Sequence, residues 1–574
     1  MPENSSCFFS MTEDNQKSDV VIIGGVACGP KTAATLARRN GDLKITLFQK
    51  EKDISYGSCG FPYLASGDIE SFDQLTETSY GVVRDVDFFK KSKGFNVIPE
   101  AEVVEINRTS KKIRIKFISD GSEIEHGYDK LVIATGANPV PPPFPVAQSD
   151  RIKPFTRPGD VRNFKRLASA GQIGKALIVG GGFIGCELAE ATGVLWGIET
   201  VLVEKENQLL PYVLDSEMAV KAERELKRQN VEVLTGETVT EIKLDDDGNP
   251  VVVLKKHDPI TVDYVFLCLG VRPEVTLAQK AGLKIGPTGA IEVNNQMQTS
   301  DENIYAGGDC AETTSRINGQ KIFIPMGSLA NRHGRVIAEN IIGNKTAFPG
   351  VTGAFLVKIY DLNVGSVGLT EAVARKAGLN AEFVWGSFPD KPDYYPESKS
   401  FSLKLVYEKD SHRLLGLQAA GHGDICRRID VVSALIGKNS TIADLFDFEH
   451  GYAPPYSEAL DPLHHLAGVV LAREKGFEFI SPATVSEDYE NAQWLDVREP
   501  DEIKIQTWPK GENADFHTIP LNDLRERLGE LDKSRLVVIV CKRGPRSYQS
   551  AVILRQAGFK KVKIQSGGYQ AACV

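Results

Sequence analysis

The chain lacks any apolar run long enough to span a bilayer. Its N-terminus, MPENSSCFFSMTEDNQKSD, has neither the basic n-region nor the apolar core of a secretory signal, and reads as a short flexible tail. It also lacks basic excess: the net charge is −9, which argues against general binding to nucleic acid or a membrane surface. No CxxC pair occurs. The nine cysteines, Cys7, Cys28, Cys59, Cys186, Cys268, Cys310, Cys426, Cys541 and Cys573, are odd in number and widely spaced, which argues against a disulfide framework or a zinc site. These absences place the protein in a reducing cytoplasm, with no metal and with most cysteines acting as small buried hydrophobes. No tandem repeat or low-complexity tract appears. What remains is 574 residues, 42% hydrophobic and 25% charged. That is ordinary for a globular protein but too long for one core, at roughly 150 residues per domain.

Three glycine-centred turns follow apolar, strand-like runs: DVVIIGGVACGP at 19–30, KALIVGGGFIGCELAE at 175–190 and NIYAGGDCAE at 303–312. Strands alternating with helical patterns imply parallel α/β domains. From about 350 the pattern becomes GAFLVKIYDLNVGSVG and FSLKLVYEKDSHRLLGLQAAG, the alternation of an antiparallel sheet in an α+β unit. After a connector near 468–486 comes a compact α/β segment containing QWLDVRE, LVVIVCKRGPRS, AVILRQAGF and KVKIQSGGY.

The second turn places Gly180, Gly182 and Gly185 between a strand and a helix, where a backbone without side chains can approach a pyrophosphate. Its next strand, TVLVEK, ends on Glu204, a carboxylate suited to a ribose diol, which favours NADH; Lys205 beside it keeps NADPH open. The first turn has Gly24, Gly25 and Gly29, with Val26 where a middle glycine is usual. Its next strand ends on Gln49, which can still hydrogen-bond a ribose, with Glu51 as a weaker candidate. YDKLVIATGANP at 128–139 contains Ala134, Thr135 and Gly136, the turn that often closes a flavin domain. TSDENIYAGGDC presents Gly308 and Asp309 after a strand, where Asp309 could hold a flavin ribityl hydroxyl.

Between the first turn and these segments, SYGSCGFPY at 55–63 carries Cys59 with no second cysteine four or five residues on. With LCLGVRPE at 267–274, ANRHGRVIAENI at 330–341, YYP at 394–396, RRID at 427–430 and GYAPPYSEALDP at 451–462, the chain resembles the flavoprotein disulfide reductases with two dinucleotide-binding domains. It is most similar to their single-cysteine branch of CoA-disulfide reductases and NADH-dependent persulfide reductases, over roughly 19–470. The resemblance implies an α/β architecture with two Rossmann-like domains for FAD and NADH, then an α+β dimerisation domain. The expected bounds are 1–18 for the tail, 19–150 with 285–350 for FAD, 151–284 for NAD(P)H and 351–470 for dimerisation. It implies a homodimer and a cofactor contact at Gly270. It places Cys59 beside the flavin, where its thiolate attacks a disulfide or persulfide sulfur. The mixed disulfide is then reduced through a flavin recharged by NADH, and the substrate supplies the second sulfur. Tyr452 and Tyr395 are expected to serve the partner's cysteine site, with Tyr452 stabilising a departing thiolate. Ser55 and Arg39 match positions that contact coenzyme A. Ser58 departs from the family's usual Asn, and LTETSYGVVRDVDFFKKSKGF departs from its TPExF pattern.

CKRGPRS at 541–547, with WLDVREPDEI and SGGYQAA, resembles a rhodanese active-site loop within a C-terminal α/β rhodanese domain at 486–574. The loop's backbone N–H groups and the following helix would stabilise the Cys541 thiolate or persulfide, and Arg543 and Arg546 would attract an anionic sulfur donor. Asp496 and Arg498 read as structural, and Cys573 as incidental. The two halves together suggest that Cys541 carries sulfane sulfur as a persulfide, which reaches Cys59 directly or through coenzyme A. The alternatives are an NADH oxidase or peroxidase cycling Cys59 through sulfenic acid, a CoA-disulfide reductase with an accessory rhodanese, and a redox sensor or sulfur carrier.

Overall fold

The computed structural model describes residues 17–482, 489, 491–508 and 515–571. The expected N-terminal tail as far as residue 16, Cys7 and Cys573 lie outside them. The chain divides into two compact units. One holds residues up to Val203 together with Thr238–Val351; the other holds Glu204–Glu237 and the residues from Thr352 onward.

In the first unit, VVII of Lys17–Ile23 and ITLF of Ile45–Phe48 are buried almost throughout, as strands covered on both faces must be. They lie parallel in a seven-stranded sheet. Asn96–Ile98 flanks Ile45–Phe48, while Glu123–Ile133 pairs with both Lys17–Ile23 and Ile304–Ala306. An antiparallel meander through Lys112–Phe117 and Ala101–Asn107 completes the sheet. Helix Cys28–Arg39 lies against helix Gly327–Ile341. A Cβ on Gly334 would come within 2.7 Å of the Cys28 carbonyl oxygen, so glycine sets how closely the two helices approach. A second parallel sheet has Lys175–Val179 between Glu199–Glu204 and Tyr264–Leu267, with Ile152–Pro154 outside the latter. Helix Phe183–Trp196 follows its central strand.

The second unit contains a five-stranded antiparallel sheet in the order Phe355–Ile359, Leu362–Gly368, Leu414–Gly421, Ser400–Glu408, Ala381–Pro389. Lys404 on this sheet is wholly buried, and it is tolerated there because Asp215, Glu217 and Glu371 surround its ammonium at 2.9, 3.3 and 2.9 Å. The C-terminal segment forms its own parallel sheet in the order Glu478–Ile480, Val562–Gln565, Val537–Val540, Gln493–Asp496, Asp515–Thr518. Asp496 and Arg498 form an ion pair there, each about 1% exposed. No helix among the described residues is long and apolar enough to cross a membrane.

Candidate active site

The two glycine turns of the first unit are built alike. Gly24 has φ +110°, and a Cβ there would sit 2.1 Å from the Ala134 oxygen; Gly180 has φ +112°, and its Cβ would sit 2.3 Å from the Cys268 oxygen. Cβ atoms on Gly29 and Gly185 would fall 1.9 and 2.0 Å from the Gly24 and Gly180 oxygens. No side chain fits at these four positions, so each strand passes into its helix with bare backbone at the bend. Gly182 is different, because a Cβ there meets nothing within 4 Å; it stands open at the start of helix Phe183–Trp196. Ala137–Pro139 pairs antiparallel with Val271–Pro273, which brings the turn at Ala134, Thr135 and Gly136 together with the one at Gly270. The Thr135 hydroxyl donates to the Glu274 oxygen across this pair at 2.7 Å.

The Cys59 loop is tied to the first turn. Ser55, buried and held at φ +50°, donates its N–H to the Gly25 oxygen at 2.8 Å. Cys59 lies in the single turn Ser58–Gly60, which runs into the short helix Phe61–Ser66 with Pro62 in its first turn. Cys59 is exposed, and its sulfur lies 4.0 Å from where a Gly327 Cβ would be, at the start of the 15-residue helix Gly327–Ile341. Helix Phe61–Ser66 rests on helix Phe183–Trp196, with Trp196 Nε1 donating to the Ala65 oxygen at 2.8 Å and Tyr63 OH 3.5 Å from Glu187 Oε1.

Glu187 was not foreseen as a site residue. Burial pushes its carboxyl up to about 7 and the Tyr63 hydroxyl up to about 12. Although Cys59 is exposed as a residue, its sulfur is partly desolvated, which raises the thiol, and the charges of Glu187 and Asp309 raise it further. Asp309 accepts from the Met326 backbone, and burial moves its carboxyl up to about 6. Next to it, the Gly308 N–H donates to His333 Nδ1 at 3.2 Å, another contact with no sequence signal.

In the second unit, Cys541 follows strand Val537–Val540, is 1% exposed, and accepts a hydrogen bond from the Gly544 N–H at 3.0 Å. Gly568, at φ +61°, packs under the loop: a Cβ there would lie 2.4 Å from the Cys541 oxygen, which also accepts from the Tyr569 N–H at 2.8 Å. Arg543 and Arg546 each face a carboxylate, Asp393 and Glu502. Tyr452 is 51% exposed and hydrogen-bonds Tyr394. Its neighbour Tyr395 lies beside Lys391, whose ammonium is 5.7 Å from the tyrosine ring.

Comparison with known proteins agrees with this geometry. The pyridine nucleotide-disulphide oxidoreductase model matches residues 18–326, its dimerisation-domain model 355–464, and the rhodanese-like domain model 481–573. The chain belongs to the pyridine nucleotide-disulphide oxidoreductase family. Among its relatives, an NADH oxidase of Methanocaldococcus jannaschii is 34% identical over 77% of this chain and 96% of its own length. A CoA-dependent NAD(P)H sulfur oxidoreductase of Pyrococcus abyssi is 34% identical over 80% and 98%. The solved structure of an NAD-dependent persulfide reductase from A. fulgidus superposes with a TM-score of 0.91, at 40% identity, over 96% of this chain and 99% of that one.

The family is FAD- and NAD(P)H-dependent, and the first unit's residues fit both groups. Asp309 Oδ1 is buried with no hydrogen-bond partner among the described residues, an acceptor suited to a ribityl hydroxyl. The bare backbone of the turns at Gly24–Gly29 and Gly180–Gly185, open to its surroundings at Gly182, suits the approach of a pyrophosphate. The ribose acceptors are more engaged than their sequence positions suggest. Gln49 Oε1 accepts from the Gly25 N–H at 2.8 Å, which braces the turn itself. Glu51 pairs with Arg157 at 3.1 Å, and Glu204 Oε1 accepts from the Glu206 N–H at 2.8 Å. Arg39, 59% exposed, pairs with Glu339 at 2.9 Å, so a coenzyme A phosphate there would share or displace that carboxylate.

Proposed function

We propose that this family member is an NADH-dependent reductase of sulfane sulfur, taking coenzyme A persulfide, polysulfide or coenzyme A disulfide through Cys59, with Cys541 carrying sulfur on the rhodanese domain. The observation that carries the reading is a lone cysteine in SYGSCGFPY, in the same chain as a rhodanese loop whose cysteine sulfur accepts a backbone N–H.

The Cys59 thiolate attacks the sulfur bonded to the coenzyme A carbon. The Cys59–S bond forms as the S–S bond breaks, and hydrosulfide leaves with the electron pair. FAD, which Asp309 and the Gly24–Gly29 turn would hold, would supply two electrons from NADH, and the mixed disulfide would then yield the Cys59 thiolate and the coenzyme A thiol. Overall, NADH, a proton and the persulfide give NAD⁺, coenzyme A and hydrogen sulfide. Glu187, which exchanges its proton near neutrality, stands within reach of Tyr63 to hold or yield a proton as sulfur leaves. Glu204 favours NADH over a 2′-phosphorylated cofactor. The chain works as a cytoplasmic homodimer, in which exposed Tyr452, Tyr456 and Leu460 meet the second copy and Tyr394 with Tyr452 serves the partner's cysteine. Arg39 and Ser55 hold coenzyme A.

The test is Cys59→Ser. It should abolish NADH-linked sulfur reduction while FAD stays bound, and retained turnover would refute the role. The relative named an NADH oxidase supports the second reading, in which Cys59 cycles through sulfenic acid and oxygen or peroxide is the acceptor.

A further inference from the structure

The Cys541 loop contains three cations, Lys542, Arg543 and Arg546, and on sequence alone it would draw a dianionic donor such as thiosulfate. The structure engages two of them elsewhere. Arg543 donates from Nη1 and Nη2 to the two Asp393 oxygens, both at 2.9 Å, and from Nε to Gln570 Oε1 at 3.1 Å. Arg546 donates from Nη1 and Nη2 to the two Glu502 oxygens at 2.6 and 2.8 Å, a pairing that holds the Glu502 carboxyl down at about 2. A guanidinium recognises a carboxylate and a sulfur oxyanion through the same planar fork, so an occupied fork must release one to take the other.

Lys542 acts on Asp393 and Glu502 from further off and makes no ion pair among the described residues. Glu458 lies close enough to Asp393 and Arg543 to feel both charges. Two carboxylates therefore offset two of the three cations, and Glu458 adds negative charge against the third. The mouth of this loop carries little net positive charge.

We propose that Asp393 and Glu502 determine donor specificity at Cys541: by occupying Arg543 and Arg546 they suit the loop to a low-charge thiol persulfide and against the thiosulfate dianion. The inference rests on the reading of Cys541 as the sulfur-carrying cysteine. The Cys541 thiolate attacks the terminal sulfur of a donor R–S–SH. The new S–S bond forms as the R–S to sulfur bond breaks, and RS⁻ leaves with the electron pair. The proton stays on the transferred sulfur, and no external oxidant or reductant is consumed. With thiosulfate the leaving group is sulfite, whose charge would need the cations that Asp393 and Glu502 already hold.

The test uses the full-length protein. Sulfur transfer from cysteine persulfide and from thiosulfate is followed across ionic strength for wild type, Cys541→Ser, Asp393→Asn and Glu502→Gln. Wild type should favour the persulfide by roughly a hundredfold in kcat/KM, and its thiosulfate rate should stay level or rise with salt. Either carboxylate variant should gain roughly tenfold on thiosulfate and acquire a rate that falls with salt. Equal use of thiosulfate by wild type, with a steep decline in salt, would overturn the inference even if both variants failed to fold. Unchanged transfer by Cys541→Ser would overturn the sulfur-carrier reading itself, and this inference with it.

Discussion

Cys59 and Cys541 are chemically the same side chain, but the chain surrounds them in opposite ways. Cys59 is exposed as a residue, in a single turn leading to a short helix, but partial desolvation of its sulfur and two carboxylates, Glu187 and Asp309, work against its thiolate. Cys541 is buried at the end of a strand, takes the Gly544 N–H on its sulfur, and lies within electrostatic reach of the Arg546 guanidinium. The Cys541 sulfur thus has a backbone donor and a cation near it, surroundings suited to the sulfur-carrying role proposed for it. At Cys59 the local protein charge opposes the thiolate, as suits a group whose ionisation changes with what binds beside it.

Removing each sulfur gives the sharpest separation. Cys59→Ser should lower anaerobic NADH turnover with coenzyme A persulfide by roughly a thousandfold or more, measured by NADH absorbance, with flavin absorbance retained. Cys541→Ser should remove sulfur transfer from polysulfide and leave reduction of preformed coenzyme A persulfide near wild type; equal loss of both activities would merge the two sites into one. Next comes the frame that positions Cys59. Gly29→Ala places a methyl 1.9 Å from the Gly24 oxygen, and should cost about 3 kcal/mol or more of stability, read by thermal unfolding and flavin content.

A smaller effect tests the electrostatic half of the comparison. As pH rises through about 7, Glu187 ionises and adds negative charge near Cys59. Glu187→Gln removes that charge, so the Cys59 thiol should titrate at lower pH. Alkylation by iodoacetamide at pH 7 should then run roughly two- to threefold faster. An unchanged pH profile would show that Glu187 does not act on Cys59. The smallest expected effect is Arg39→Ala, a few-fold rise in KM for coenzyme A substrates with kcat unchanged, because Arg39 is exposed and already shared with Glu339.

The glycine turns were legible because their constraint is backbone geometry: at Gly24, Gly29, Gly180 and Gly185 a single missing Cβ is the whole signal, and it survives in one dimension. Cys59 and Cys541 stand out as candidates from their loops, SYGSCGFPY and CKRGPRS. The partners of charged and polar side chains were not. Arg543 finds Asp393 150 positions away, and Arg546 finds Glu502 44 positions away. Neither spacing has a period that a helix or strand would print. Tyr394 and Tyr395 are neighbours in one loop, and only the course of that loop decides which meets Tyr452. Gln49 stands where a ribose acceptor is expected, but its carbonyl turns back to the Gly25 N–H, a local contact that competes with any ligand. Glu187 follows Gly185 by two residues in FIGCELAE; a carboxylate early in an apolar helix was the available signal, and its significance appears only with Tyr63 beside it.

The central claim is that electrons from NADH reach sulfur at Cys59. The most direct measurement is anaerobic NADH consumption with coenzyme A persulfide, with sulfide counted against NADH. The account predicts about one sulfide per NADH, with no oxygen needed. No consumption until air or peroxide is admitted, followed by fast oxidation of NADH, would contradict it and assign Cys59 to the oxidase–peroxidase chemistry.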